Sequence, residues 1–254
     1  MSHQVQCPPK LPSLIPSISI VKNRKSDIEF DSLNDDYLSN SKQKIIKRDN
    51  EQCQFCYFKT QPDRNESKNQ FAANGYLDVH FLDDNPNNEN PQNMITVCPF
   101  CHQVFHIDFA GQLGRFKVIY FPWFSQAQLN LLMHCTFAVL CRKKSEAPNF
   151  YTEAQNFYSY CKDTLHYKAV QELGDAVRDP KSLGSALYNL YQKDIKLYKK
   201  RKKALKNIRI LPLYEKFEKA CEFWAKKSWH PGQRWQDAFE EIYNKWKTSV
   251  KYDG

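Results

Sequence analysis

Two cysteine pairs with identical spacing constrain this chain more than any other feature. They are Cys53-Gln54-Phe55-Cys56 and Cys98-Pro99-Phe100-Cys101, with 41 residues between them. A C-x-x-C segment bends as a knuckle and turns two thiolates toward one cation, and two knuckles complete a tetrahedral Zn²⁺ site. Four thiolates leave no position open for water, so such a metal is structural. The separation exceeds that of a compact zinc ribbon and leaves room for a hairpin between the knuckles. The chain has nine cysteines, an odd number, and begins MSHQVQCPPK without the charged-then-apolar order of a secretory signal. A disulfide framework is therefore a poor reading, and a thioredoxin-type C-x-x-C does not come in twos. Cys7, Cys135, Cys141, Cys161 and Cys221 show no ligand spacing, and four of them fall on or near helical apolar faces, where packing is expected.

The pattern around the knuckles is mixed. Asp27–Phe30 and Ile18–Val21 have the makings of a hairpin around Asn23-Arg24, and Ser39–Arg48 is a short helix candidate. Strands are expected at Tyr76–Leu82, Met94–Val97 and Phe116–Phe121, with Lys59–Gln70 and Asp83–Gln92 as loops. Pro99 suits a first helical turn, so a helix is expected from about Pro99 to Phe109. The period then becomes helical. Ser125-Gln126-Ala127-Gln128 is a capping box ahead of a nearly all-round apolar helix reaching about Cys141. Further helices are expected from Thr152 to about Val177, from Asp179-Pro180 to roughly Lys206, from Pro212, and after the turn at His230-Pro231-Gly232. The last two carry Tyr214, Phe217, Cys221 and Trp224, and Trp235, Phe239, Ile242 and Trp246, which match as the faces of a helical hairpin. The apolar stretch Leu131–Cys141 is broken by His134 and is far short of a membrane span.

Charge is divided unevenly. The total is +9, but residues 1–141 hold 13 Lys+Arg against 14 Asp+Glu and residues 142–254 hold 24 against 14. The first part is thus at −1 and the second at +10, with Lys199–Lys203 as the densest run. This basic half has three open readings: a solvated helical face, a dock for acidic protein segments, or contact with a membrane surface or nucleic acid. Tyr191 and Tyr198 precede the run, but no aromatics interleave it as base-stacking platforms do.

The knuckles have company in the order Lys47-Arg48-Asp49-Asn50, Cys53, Cys56, Asp78-Val79-His80-Phe81, Asn93, Cys98, Cys101-His102. This resembles the Cys₄-zinc HNH endonucleases, metal-dependent enzymes on a treble-clef zinc scaffold. The resemblance implies His80 and His102 at metal-ligand positions, Asn93 as the brace of the strand pair, and Phe81 at the position of the general base. Phenylalanine cannot accept a proton. The part of the chain holding this site also lacks the positive field that a phosphodiester substrate requires. No catalytic residue is therefore assigned. His106, four residues after His102, has the spacing to join a second metal site, but it is expected to face solvent or to be hydrogen-bonded.

A second resemblance covers roughly residues 45–200. The runs KRDNEQCQFC (Lys47–Cys56), MITVCPFC (Met94–Cys101) and VIYFPWFSQAQLNLLMHCTFAVLC (Val118–Cys141) are similar to the DotN/IcmJ components of Dot/Icm type IVB secretion systems. The strand followed by the SQAxLN helix start narrows the match, since the knuckles alone are shared by many zinc modules. The resemblance implies a non-enzymatic cytoplasmic subunit, peripheral at the inner membrane through its complex. Its implied partner is the C-terminal extension of the coupling ATPase DotL, alongside DotM, the IcmS–IcmW adaptor pair and the effector proteins they gather. An HNH-type nuclease and a non-catalytic nucleic-acid-binding zinc module are the competing readings. The expected class is α+β: an irregular segment 1–40, an HNH-like zinc module 41–122 with one structural Zn²⁺, and a helical basic region 123–254.

Overall fold

The computed structural model describes residues 9–18, 40–61, 74–142, 148–227 and 235–251. The expected hairpin around Asn23-Arg24, Cys7, most of the Lys59–Gln70 loop and the turn at His230-Pro231-Gly232 lie outside the described residues. The architecture is mixed, with short antiparallel strand pairs and a majority of helix.

Helix α1 (Asn40–Arg48) leads into the first knuckle. Strand β1 (Asp78–Phe81) pairs antiparallel with β2 (Met94–Val97), with Asp78 opposite Val97 and Phe81 opposite Met94. The loop between them is held by side-chain bonds: Asn93 Nδ2 donates to Asp83 Oδ1 at 2.8 Å and to the Asn88 carbonyl at 2.9 Å, and Asp83 N–H returns to Asn93 Oδ1 at 3.0 Å. This accounts for the Asn/Pro-rich stretch, whose short amides satisfy backbone that no ladder reaches.

The expected helix after the second knuckle is in fact two, α2 (Pro99–Phe105) and α3 (Ile107–Gln112). The break has an identifiable cause. Ser17 from the N-terminal segment donates its N–H to the Val104 carbonyl at 2.9 Å and accepts from Ile107 N–H at 3.0 Å. It replaces ladder partners and turns His106 out of helical geometry, at φ −130 and ψ 49.

Strand β3 (Phe116–Tyr120) pairs antiparallel with β4 (Ile208–Pro212), a strand the sequence pattern does not disclose. Pro212 ends this strand instead of opening a helix. Helix α4 (Gln126–Leu140) begins at the expected capping box, with Gln128 N–H donating to Ser125 Oγ and Ser125 N–H to Gln128 Oε1. The box read at Thr152 is interior to α5 (Pro148–Tyr160), which passes through a π-turn at Cys161–Leu165 into α6 (His166–Leu173). Gly174, at φ +74, ends it. The expected helix from Pro180 to Lys206 divides at Asp194 into α7 (Pro180–Lys193) and α8 (Ile195–Ala204), because Asp194 is extended and its carboxylate caps Leu197 N–H at 2.9 Å.

Helices α9 (Glu218–Lys227) and α10 (Trp235–Lys251) pack on α4 and α5 and do not form a hairpin on each other. Trp224 meets Phe58, Phe100 and His134 edge-on, whereas Tyr243 and Trp246 close on Phe157. The reason is volume: α4 is buried on nearly every side, from Leu129 through Val139, and needs several partners. The core therefore runs continuously from the knuckles through α4 to α9 and α10. No helix among the described residues is long and apolar enough to cross a membrane.

Candidate metal centre

The knuckles converge. The Sγ atoms of Cys53, Cys56, Cys98 and Cys101 all lie within 4.8 Å of one another, and each residue is at most 2% exposed. Cys56 and Cys98 sulfurs, from different knuckles, are 3.6 Å apart. Four thiolates about 2.3 Å from a tetrahedral Zn²⁺ would be about 3.8 Å apart, so the cluster has the size and donor set of such an ion. Burial pushes Cys98 and Cys101 well above the ordinary thiol range, and Cys56 upward too. Burial opposes ionisation of Cys53 as well, yet that thiol is lowered because the other three sulfurs and the Cys56 backbone hydrogen-bond to it. Four buried thiols with room for a single negative charge fit a dication, which would stabilise all four as thiolates.

The chain builds this cluster from distant segments. Gln54 N–H donates to the Thr96 carbonyl at 3.0 Å, so the first knuckle hangs on the strand that leads into the second. Arg48 and Asp49 make the stronger tie. Asp49 accepts Arg48 Nε at 2.8 Å and Nη2 at 3.1 Å, and also takes Thr96 N–H at 2.9 Å. Arg48 meanwhile reaches the carbonyls of Pro91 at 2.7 Å and Met94 at 2.8 Å. Asn50 and Glu51, both at φ +57, then reverse the chain into the knuckle.

Helix α4 completes the surroundings of the sulfurs. Asn130 Nδ2 donates to Cys101 Sγ at 3.2 Å, and His134 Nε2 is 3.2 Å from Cys98 Sγ. Burial holds His134 down to about 3, which favours the neutral ring, and with its proton on Nε2 that ring would donate toward a thiolate. The ring is fixed between Phe58 at 3.8 Å and Phe100 at 4.2 Å, both nearly parallel to it. Gln126 anchors the other end of this chain of contacts: it donates to Asn130 Oδ1 and the Ile210 carbonyl and accepts Ile210 N–H, each at 2.8 Å. Strand β4 is thus linked through Gln126 and Asn130 to a cysteine some 110 residues earlier in the sequence.

Each residue of the nuclease-like pattern has a definite place. His80 and His102 are buried and their rings are 5.5 Å apart. Asn93 closes the β1–β2 loop through the bonds given above. Phe81 is 2% exposed, and strand alternation puts it with Val79 on the face opposite His80. His106 is 1% exposed, which overturns the solvent-facing expectation; the helix break at Ser17 turns it inward.

No family model matches the chain. The type 4 apparatus protein DotN of Legionella pneumophila is 31% identical over 226 residues, which are 88% of this chain and 92% of that protein. The chain belongs to the DotN family. For this DotN-family chain, the SQAxLN segment has a physical content that the sequence reading missed. Its Gln126 and Asn130 are polar residues on an otherwise apolar helix, and that placement is the signal that would have marked them as partners of something buried. His134, interrupting Leu131–Cys141, carried the same signal.

The lysines of the basic run lie apart from this centre. Lys199, Lys200, Lys202 and Lys203 on α8 are exposed. Arg201, within the same run, is instead drawn inward: it lies over the Tyr198 ring at 4.0 Å and donates to the Pro16 carbonyl at 3.2 Å and Ser17 Oγ at 3.1 Å.

Proposed function

We propose that this DotN-family chain is a non-catalytic, zinc-braced subunit of a type IVB secretion coupling complex. The observation that carries this reading is the kinship with a type 4 apparatus protein along nearly the whole of both chains. Residues 41–122 serve as an HNH-like treble-clef module, in which the first knuckle, the β1–β2 hairpin and the helix opened by the second knuckle surround one Zn²⁺ held by Cys53, Cys56, Cys98 and Cys101. Residues 123–254 supply the helical surface. When bound, the metal contributes charge and rigidity to the knuckles and takes no part in a reaction.

The partner is the C-terminal extension of the coupling ATPase DotL, with DotM, IcmS–IcmW and effector proteins reached through the complex and the inner membrane reached through these partners. Phe81 supports the non-catalytic role, since the position that would activate water holds a group that cannot take a proton. The exposed lysines of α8 read most simply as a solvated face, with acidic protein segments as the next choice.

Affinity isolation of the full chain from native membranes tests this reading, with recovery of the coupling ATPase as the expected result. Recovery of nucleic acid without the ATPase would overturn it. So would nicking of plasmid DNA with Mg²⁺, Mn²⁺ or Ni²⁺ that disappears in His80→Ala or His102→Ala. Elemental analysis is expected to find zinc that is lost in Cys98→Ser.

A further inference from the structure

Outside the metal centre, the cysteines of the described residues differ in what can reach them. Cys135 and Cys161 are 0% exposed, and burial pushes both thiols up from the ordinary range. Such thiols are inert toward solutes. Cys141 is different: among the described residues it is the one cysteine that is not buried. It stands at the C-cap of α4, where its N–H donates to the Phe137 carbonyl at 2.9 Å.

Two hydrogen-bonding groups meet its sulfur. The Tyr214 hydroxyl lies 3.4 Å from Cys141 Sγ, and the thiol of Cys221 on α9 is hydrogen-bonded to it. Aromatic packing brings these segments together. Phe137, one turn before Cys141, and Phe217, one turn before Cys221, both meet Phe100 edge-on, at 5.6 and 5.0 Å. Cys221 N–H closes its own turn on the Phe217 carbonyl at 2.8 Å. Tyr214 is fixed as well, since its N–H donates to the Tyr158 hydroxyl at 2.9 Å and its ring meets Phe137 at 5.3 Å. The two cysteines are far apart in sequence, so no spacing announces the pair.

The two sulfurs are unequal. Cys221 is 1% exposed; burial first, and then the Cys141 sulfur, push its thiol well up, so it keeps its proton and donates it. The Cys221 hydrogen bond is the first cause that holds Cys141 below the ordinary thiol range, against its own partial burial, and the Tyr214 hydroxyl adds to it. Glu222 and Glu218, both exposed on α9, act in the opposite sense. Burial and the Cys141 sulfur push Tyr214 up, so its hydroxyl remains a donor. A partly exposed sulfur with two donors, in contact with a buried thiol, has the parts of an attacking and a resolving cysteine.

We propose that Cys141 and Cys221 form a reversible, peroxide-responsive thiol pair, with Cys141 as the attacking sulfur and Cys221 as the resolving one. The Cys141 thiolate attacks one oxygen of hydrogen peroxide. The S–O bond forms, the O–O bond breaks, and the departing hydroxide takes a proton from solvent and leaves as water. The sulfur, oxidised by two electrons, is now a sulfenic acid. Cys221 then gives up its proton and attacks the Cys141 sulfur. The S–S bond forms, the S–O bond breaks, and the hydroxide leaves with that proton as a second water. Two thiols and one peroxide thus yield one disulfide and two waters. A dithiol reductant reopens the bond and carries away the oxidation as its own disulfide. Closure ties the end of α4, the helix that brings Asn130 and His134 to the metal centre, to α9.

The test is peptide mapping of the full chain, reduced under non-denaturing conditions, treated briefly with hydrogen peroxide, and then alkylated. A Cys141–Cys221 crosslinked peptide pair, separated by dithiothreitol, is the expected first product. Cys141 should be consumed at least about tenfold faster than Cys135 or Cys161. Cys221→Ser should halt the reaction at the sulfenic acid, captured as a dimedone adduct on Cys141, and Cys141→Ser should abolish crosslink and adduct alike. Disulfides confined to the knuckle cysteines, with Cys141 and Cys221 both still thiols, would overturn the proposal. So would a dimedone adduct in Cys221→Ser that falls elsewhere than on Cys141. Should a variant fail to fold, the presence or absence of the wild-type crosslink still decides it.

Discussion

Replacing Asp49 by alanine should be among the most damaging single changes in the chain outside the cysteines. Its carboxylate is 2% exposed and holds three N–H groups, two from Arg48 and one from Thr96. Alanine leaves Thr96 N–H, in a residue of 0% exposure, without this acceptor. An orphaned buried donor costs about 1–3 kcal/mol. Arg48, only 16% exposed, also loses its counter-ion. Complete loss of a buried partner costs about 3–5 kcal/mol, but Arg48 keeps the Pro91 and Met94 carbonyls, so about 1–2 kcal/mol is the better figure here. Together the loss is about 2–5 kcal/mol, a large part of the ~5–15 kcal/mol that holds an average domain together. Asp49→Asn retains an oxygen for Thr96 N–H and removes only the charge, so it should cost about half as much. Urea unfolding at equal slope reads both values. A cost below about 1 kcal/mol for Asp49→Ala, or equal costs for the two variants, would refute the assignment of the clamp.

Other changes test separate parts of the structure. Gly184→Ala should destabilise although alanine is the better helix former, because its Cβ would stand 2.5 Å from the Asp108 Cα where α7 crosses α3. Overpacking of about 1–3 kcal/mol outweighs a propensity gain of about 1 kcal/mol, and a raised melting temperature would contradict this. Trp224→Phe removes the indole N–H bond to the Gly75 carbonyl, 2.9 Å long, and part of the contact with Phe58 and Phe100, and should cost about 2–3 kcal/mol in the same urea assay. Asn130→Ala and His134→Phe each delete a donor to a cysteine sulfur, and should weaken zinc retention by about 10–100-fold in competition with a chromophoric chelator. Unchanged retention would show that these contacts do not support the sulfurs. Burial tends to raise Glu215, but its own backbone N–H, Lys162 at 3.1 Å and the Tyr158 hydroxyl at 3.4 Å hold it below the ordinary range. The stability it contributes is therefore present above about pH 4.3 and fades as pH falls through the lowered value, so Glu215→Gln should flatten the acid limb of a stability profile.

Much of the region around the cysteine knuckles was legible because its signals are local. The C-x-x-C pairs, Pro99 after Cys98 and the Asn-rich loop each act within a few residues, and the β1–β2 hairpin and the start of α2 follow from them. The capping box at Ser125 is of the same kind. The box at Thr152 shows the weakness of such signals: its motif is intact, but α5 had already begun at Pro148. Strand β4 was missed because its partner, β3, lies about ninety residues away, and a short apolar run before a proline reads equally well as the approach to a helix.

By itself, the sequence determined that four cysteines share one centre, that helix dominates after residue 122, that the positive charge lies in the part of the chain after the cysteine knuckles, and that Phe81 cannot be a base. Each of these follows from residue type and near spacing. Tertiary structure alone decided what surrounds the sulfurs and where His106 sits. Asn130 and His134 reach Cys101 and Cys98 from a helix some thirty residues further along, and Ser17 opens the helix that would otherwise have carried His106 on in regular geometry. Contacts of that range depend on how elements cross, and crossing angles leave no periodicity in the chain to be read.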